Sequence, residues 1–326
     1  MSELASSAAR FRISTAANDY IIQGITEVCN ESFHRWPDFF NRAQGGVRMQ
    51  FFKMHALGNN YVFVDTARTT LPTDDLPSLA RRVSDVRRGI GSDGLILVTP
   101  SDSADVGMRI WNADGSEAES CGNGLRCVAR YAYERGLVDA THFSIETKAG
   151  VVAAQVHLDV KGRVRLVTID MGEARFGTEA VPYRGTDRGD DVRVQAGGAS
   201  YMGTLVSMGN PHFVTLVDCV DEVDVERVGR AIESHPDFPE RVNVEFVSVL
   251  APDEIDFRVY ERGSGVTFAC GTGACASVAA LAKKGFVRNR VTVHLLGGDL
   301  DIEIRADGHV WMTGEAHWVC EGTYYA

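Results

Sequence analysis

Polar and apolar residues alternate along several short stretches of the chain, such as "VRVQ" (Val192–Gln195) and "DLDIEI" (Asp299–Ile304). A period of two marks half-buried strands. "MQFFKMHALGNNYVFVD" (Met49–Asp65) predicts strand, Gly-Asn turn, strand, and the apolar "LILVTP" (Leu95–Pro100) predicts a further strand. A different pattern follows Cys270. "ACASVAALAKK" (Ala274–Lys284) is rich in Ala and Leu, ends on two lysines and stops at Gly285, which predicts a helix. Ser277 is almost its only polar residue before those lysines, so the helix is expected to be buried on most sides. Residues 1–48 differ from the rest: they lack the Gly-rich phrases found later, and the stretch Asp19–Phe40 predicts a helix with a turn near Pro37. This leading segment is expected to be peripheral.

The pattern repeats. "CGNGLRCVARYAYERG" (Cys121–Gly136) and "CGTGACASVAALAKKG" (Cys270–Gly285) have the same length, and Arg109 and Arg258 each lie twelve residues before their cysteine. Upstream, "LGNNYVFVD" (Leu57–Asp65) echoes "MGNPHFVTLVD" (Met208–Asp218); downstream, "FSIETKAGVVAAQV" (Phe143–Val156) echoes "VTVHLLGGDLDIEI" (Val291–Ile304). Matching phrases in matching order indicate an internal duplication. Each half is therefore expected to be an α+β unit, a mostly antiparallel sheet wrapped around one central helix, with few βαβ crossovers.

Composition narrows the class. The chain has 326 residues, 44% hydrophobic and 24% charged, enough to bury one large core or two ordinary ones. A net charge of −11 and a pI near 5.3 argue against a nucleic-acid partner, which needs a basic surface. Neither an apolar run of roughly 18 residues nor a secretory h-region is present, so a cytoplasmic protein with no membrane partner is expected. Seven sparse cysteines fit free thiols in a reducing compartment. Cys29, Cys127, Cys219, Cys275 and Cys320 are expected to fill core space. "GIGSDG" (Gly89–Gly94) matches a dinucleotide-binding pattern by letter, but it leads into a strand rather than a helix, which excludes that reading.

Cys121 and Cys270 remain, one at the head of each predicted helix. Unpaired N–H groups there favour negative charge and are expected to lower a thiol pKa from about 8.5. The same N–H groups can hold a carboxylate. Two such helix ends facing one cleft would place a base on one side of a carbon atom and an acid on the other, the arrangement of a two-base racemase or epimerase. That scheme calls for neither metal nor cofactor. Zinc is a poor reading, because Cys121/Cys127 and Cys270/Cys275 point in different directions on a helix.

Taken together, "KMHALGNNYVFVD", "RRGIGSDG", "MRIWNADGSEAESCGNGLRC", "VSMGNPH", "FPERVNVEF", "RVYERGSGVTFACGTGACA" and "VWMTGEA" resemble the diaminopimelate epimerase family across nearly all of residues 49–326. The resemblance implies a cofactor-independent homodimeric enzyme that interconverts LL- and meso-diaminopimelate, similar in architecture to proline racemases and the phenazine-biosynthesis isomerase. It implies an extension (1–48), an N-terminal domain (49–165, joined by 316–326) and a C-terminal domain (166–315). By motif, Cys121 and Cys270 are the acid/base thiols, and Gly122-Asn123 and Gly271-Thr272 cradle the reacting carboxylate. Glu261 binds the reacting ammonium and His212 helps to poise a thiol. Asn59, Asn112, Asn210, Asn243 and Arg262 recognise the rest of the substrate. Ala56 and Asn60-Tyr61 depart from the common pattern of Gly and Asp-Phe. A racemase of proline or histidine type is the alternative enzyme, and a non-catalytic binding protein the alternative class.

Overall fold

In the computed structural model, which describes residues 48–326, the stretches expected to be strands are strands. The first two, Arg48–Ala56 and Asn59–Asp65, form a hairpin closed by Leu57 and Gly58. Both turn residues have positive φ, 54° and 86°, as a two-residue turn between right-twisting strands demands. Leu57 is unusual there, because a branched side chain resists that conformation. The helix expected at Asp19 and the thiol of Cys29 lie outside the described residues.

The described residues hold four α-helices: α1 (Leu76–Ser84), α2 (Gly122–Glu134), α3 (Val225–Glu233) and α4 (Gly271–Lys283). The helices α2 and α4 are the two expected from the repeated phrase. In each, one cap residue (Arg135 or Lys284) separates the helix from a left-handed glycine, Gly136 or Gly285, with φ of 67° and 76°. The helices α1 and α3 were not expected. Their signals were local: Asp75 and Asp224 cap them by accepting the N–H of Ser78 and Arg227.

The expectation of few crossovers is corrected. Each of the four helices bridges a parallel strand pair: Asn59–Asp65 with Gly94–Thr99, Val106–Asn112 with His142–Thr147, Pro211–Leu216 with Asn243–Ala251, and Glu254–Glu261 with Arg290–Leu295. A helix that runs back across the sheet returns the chain to the end where the first strand began, so the next strand enters in the same direction. The remaining pairings are antiparallel, and the α+β class of mostly antiparallel sheets around central helices holds.

Each half packs a core around its central helix. Leu125, Val128, Ala129 and Ala132 of α2 meet Phe63, Ile96, Met108 and Ile145 from strands of the first half. Ala274, Val278 and Leu281 of α4 meet Val247, Phe257 and Val293 from strands of the second half. As its composition predicts, α4 is buried along nearly its whole length. The halves are stitched together. Val164–Glu173 pairs with Gly150–Leu158 of the first half and with His309–Gly314 of the second, and the last strand, His317–Tyr325, returns to pair with Arg48–Ala56. Leu57 of the first turn enters the core of the second half. Its backbone passes so close to Gly297 that a Cβ there would lie 2.1 Å from Leu57 O. No helix among the described residues is long and apolar enough to cross a membrane.

Candidate active site

Cys121 and Cys270 are the N-cap residues of α2 and α4, and both have extended backbone, as capping requires. The sulfur takes the place usually held by a capping oxygen: Cys121 Sγ accepts the N–H of Gly124 at 3.5 Å, and Cys270 Sγ that of Gly273 at 3.3 Å. The two helix starts converge on one side chain. A Cβ at Gly122 would lie 2.7 Å from Met312 Cε, and one at Gly271 2.8 Å from Met312 Sδ, so a side chain at either position would have to displace the Met312 thioether. Asn123 spans the join by donating to Ala269 O at 3.3 Å, next to Cys270.

Around Cys121, Asn59 Oδ1 accepts the amide of Asn123 at 3.1 Å and faces the sulfur at 3.9 Å, while Tyr61 Oη lies 3.6 Å from it. Asp93, from the dismissed glycine motif, holds this corner in place. Its Oδ2 accepts from Asn59 Nδ2, Asn60 Nδ2 and Asn60 N at 2.7–3.1 Å. Asn112 donates to Ser116 Oγ within its own turn.

Around Cys270 the support is a directed chain. Glu245 Oε1 faces His212 Nδ1 at 2.7 Å, His212 Nε2 faces Asn210 Oδ1 at 2.9 Å, Asn210 Nδ2 donates to Thr272 Oγ1 at 3.2 Å, and Thr272 Oγ1 lies 3.5 Å from Cys270 Sγ. Both ring nitrogens of His212 face oxygen acceptors, so one proton must be shared between His212 and Glu245, whichever of them carries it. The arrangement orients Asn210, leaving the Thr272 hydroxyl free to donate to sulfur. Glu245 and His212 are wholly buried.

Glu261 accepts from the Thr267 hydroxyl, and its charge acts on both Cys121 and Cys270. One carboxylate thus influences the two thiols together. Burial pushes its pKa up. Asn243 holds the next residue, accepting the backbone N–H of Arg262 at 2.9 Å and donating to Pro211 O, and the Arg262 guanidinium donates to Glu240 O at 3.2 Å.

The expected lowering of the thiol pKa values is corrected. Burial raises both, Cys270 well above its ordinary range, with Glu261 and Glu245 adding to the rise there. The capping N–H groups oppose the rise but do not win. Desolvation outweighs one turn of helix dipole when nearby carboxylates repel a thiolate. Cys127 and Cys275 fill core space as expected, whereas Cys219 and Cys320 are exposed and do not.

Several neighbours of the thiols were missed in the sequence. Arg126 is fully buried under the two helix starts and donates to Asn123 Oδ1 at 2.7 Å, Gly122 O at 3.5 Å and Glu315 O at 3.3 Å. Its signal was a charge in the first turns of a helix that packs into the core. Glu245 was a lone charge inside the apolar run "NVEFVSVL". Tyr61 needed only the duplication, which sets it opposite His212.

The family model described as diaminopimelate epimerase matches residues 51–177 and 204–319. A diaminopimelate epimerase of Geobacillus thermodenitrificans is 53% identical over 279 residues, 84% of this chain and 96% of that protein. One of Bacillus subtilis is 49% identical over 282 residues, covering 85% and 98%. Among solved structures, a Bacillus anthracis phenazine biosynthesis protein of the PhzF family superposes with a TM-score of 0.61 at 18% identity, over 86% of this chain and 99% of that one. A probable proline racemase from Agrobacterium radiobacter gives 0.61 at 19%, covering 85% and 92%. At these identities the solved structures speak for the fold alone.

Proposed function

The chain belongs to the diaminopimelate epimerase family, and on that premise we propose that it inverts one α-carbon of diaminopimelate by passing protons between Cys121 and Cys270. The observation that carries this reading is the matched placement of the two thiols as N-caps of the two helices whose starts meet at Met312. One sulfur, as thiolate, takes the α-proton. The electron pair left on carbon delocalises into the α-carboxylate, whose growing charge is met by backbone N–H groups at Gly122-Asn123 and Gly271-Thr272. The other sulfur, as thiol, delivers its proton to the opposite face. The first cysteine ends as thiol and the second as thiolate, so the next turnover runs in reverse or follows a proton exchange with water.

The raised thiol pKa values fit this scheme. Glu261 repels a thiolate at either cysteine. A substrate ammonium bound at Glu261 would neutralise that charge and add a positive one, so the thiolate would form when the substrate is in place. Asn59, Asn210, Asn243 and Arg262 would recognise the substrate, several of them holding its second amino-acid head, with the planar guanidinium suited to its far carboxylate. Asn112 is assigned to the same set by its motif.

The test is deuterium wash-in. The purified, reduced protein in deuterated water should place deuterium at the α-carbon of LL- and meso-diaminopimelate, with proline and histidine unlabelled. Changing Cys121→Ala or Cys270→Ala should reduce epimerisation by about 10²–10⁴-fold, the usual worth of a positioned acid or base. Near-normal turnover in either variant would exclude the two-thiol scheme, and labelling of proline instead would move the substrate.

A further inference from the structure

The two thiols occupy equivalent places in a duplicated framework, yet their neighbours are not equivalent. A Cβ at Gly124 would meet Ile96 Cδ1 at 2.6 Å, while one at Gly273 would meet Glu245 Oε1 at 2.8 Å. Ile96 and Glu245 therefore stand at matching points beneath the two cysteines. The repeat likewise matches Asn59 to Asn210 and Tyr61 to His212. In the second half the polar group under the helix start is an imidazole that faces Glu245 and reaches Cys270 through Asn210 and Thr272. In the first half the same place holds a phenol, and it touches the sulfur directly.

From this we infer that Tyr61 is the positioning residue of Cys121, its hydroxyl donating a hydrogen bond to the Cys121 sulfur and so favouring the thiolate at that cysteine alone. The inference deepens the two-thiol reading above and rests on it for its relevance to turnover. The geometry has three parts. Tyr61 Oη lies 3.6 Å from Cys121 Sγ. The ring is 6% exposed, fixed edge-on to Phe63 at 6.4 Å and pressed against Gly94, where a Cβ would come within 3.0 Å of it. The phenol also stays protonated, because burial, the sulfur itself and Asp93 all raise its pKa, so it can act as a donor to a thiolate. The other ionisable groups that act on Cys121 are Glu261, which opposes the thiolate, Arg126, which favours it, and its neighbour Cys127. Those on Cys270 are Glu261 and Glu245. Tyr61 thus offers a lever that reaches one sulfur and not the other.

The experiment follows each thiol separately. Full-length protein, wild type and Tyr61→Phe, is treated with iodoacetamide across pH 6.5–10, and alkylation of Cys121 and Cys270 is read by peptide mass spectrometry. Loss of one hydrogen bond to a thiolate should slow Cys121 alkylation at pH 7.5 by about tenfold and move its rise to higher pH, leaving the Cys270 profile unchanged. A second variant keeps the ring and strengthens the donor: Tyr61→3-fluorotyrosine should move the Cys121 profile the opposite way. Unchanged profiles in both variants, or equal shifts at both cysteines, would overturn the inference and reduce Tyr61 to a packing residue. The readout does not depend on turnover. A selective shift at Cys121 in a protein that shows no deuterium wash-in would uphold the Tyr61 contact while sinking the proposed function.

Discussion

A cysteine at a helix start is pulled two ways: the N–H groups favour its thiolate, and burial favours its thiol. Here burial prevails at Cys121 and Cys270, and it acts unopposed by any cap at Cys127 and Cys275. Those two lie deeper in their helices, are at most 1% exposed and are pushed up to about 12. An unfolded thiol titrates near pH 8.5. The folded pKa is the higher one, so the stabilising effect is complete below pH 8.5 and is lost as pH rises towards 12. Each thiol should then cost about 1.4 kcal/mol of stability per pH unit inside that window. The melting temperature is expected to fall steeply from pH 9 to 11, and a Cys127→Ala/Cys275→Ala variant should show a shallower fall. An equal slope in both proteins would locate the alkaline transition elsewhere. The role of these two residues as core filling was legible from their apolar neighbours; the exposure of Cys219 and Cys320 was not, since each follows a strand-like phrase that gives no hint of which side faces water.

At the scale of elements, the proposed chemistry sits at the two helix starts, and the glycines at their third positions test it. A side chain at Gly273 would press on the Glu245 carboxylate, on Phe257 and on the Cys270 sulfur at 3.2 Å. A side chain at Gly124 would press on Ile96 Cδ1, the far end of a flexible side chain, with the Cys121 Cβ at 3.7 Å. Gly273→Ala is therefore expected to lose activity by about 10²-fold or more, as misplaced catalytic groups do, and Gly124→Ala to lose about tenfold or less. Steady-state rates on one substrate would decide it; equal losses would mean the two helix starts are equally tolerant. Both central helices were legible because cysteine caps, alanine-rich turns and terminal glycines are local signals. The helices α1 and α3 carried local signals too, in Asp75 and Asp224, but their nine-residue lengths sit between strands that dominate the pattern. The parallel crossovers were not legible, because strand direction is settled by where a helix docks and not by the strand's own residues.

For the whole molecule, the question is what keeps two similar halves in one register. Leu57 is a candidate with a distinct signature: it holds a left-handed conformation, is 6% exposed, and packs into the core opposite its own. The turn it belongs to also presents Asn59 to Asn123 and Cys121. Truncation by Leu57→Ala should destabilise the protein by about 2–5 kcal/mol, as for other buried leucines, and should lower activity more than an equally destabilising change deep within one core. Urea denaturation paired with rate measurements would test this; loss of stability with unaltered turnover would show that the peg only holds the chain together.

What the sequence determined alone was whatever depends on neighbours in the chain: the alternation that makes strands, the duplication, the cysteine at the head of each central helix, and the motifs that mark the family. Only the tertiary structure decided which groups meet each sulfur and what that does to its charge. Tyr61 lies sixty residues from Cys121, and Glu245 thirty-three from His212. Desolvation depends on everything packed around an atom, and no local pattern records that. The sequence therefore placed the thiols at dipole ends that favour ionisation, and the folded core, by excluding water and gathering carboxylates beside them, turned that preference round.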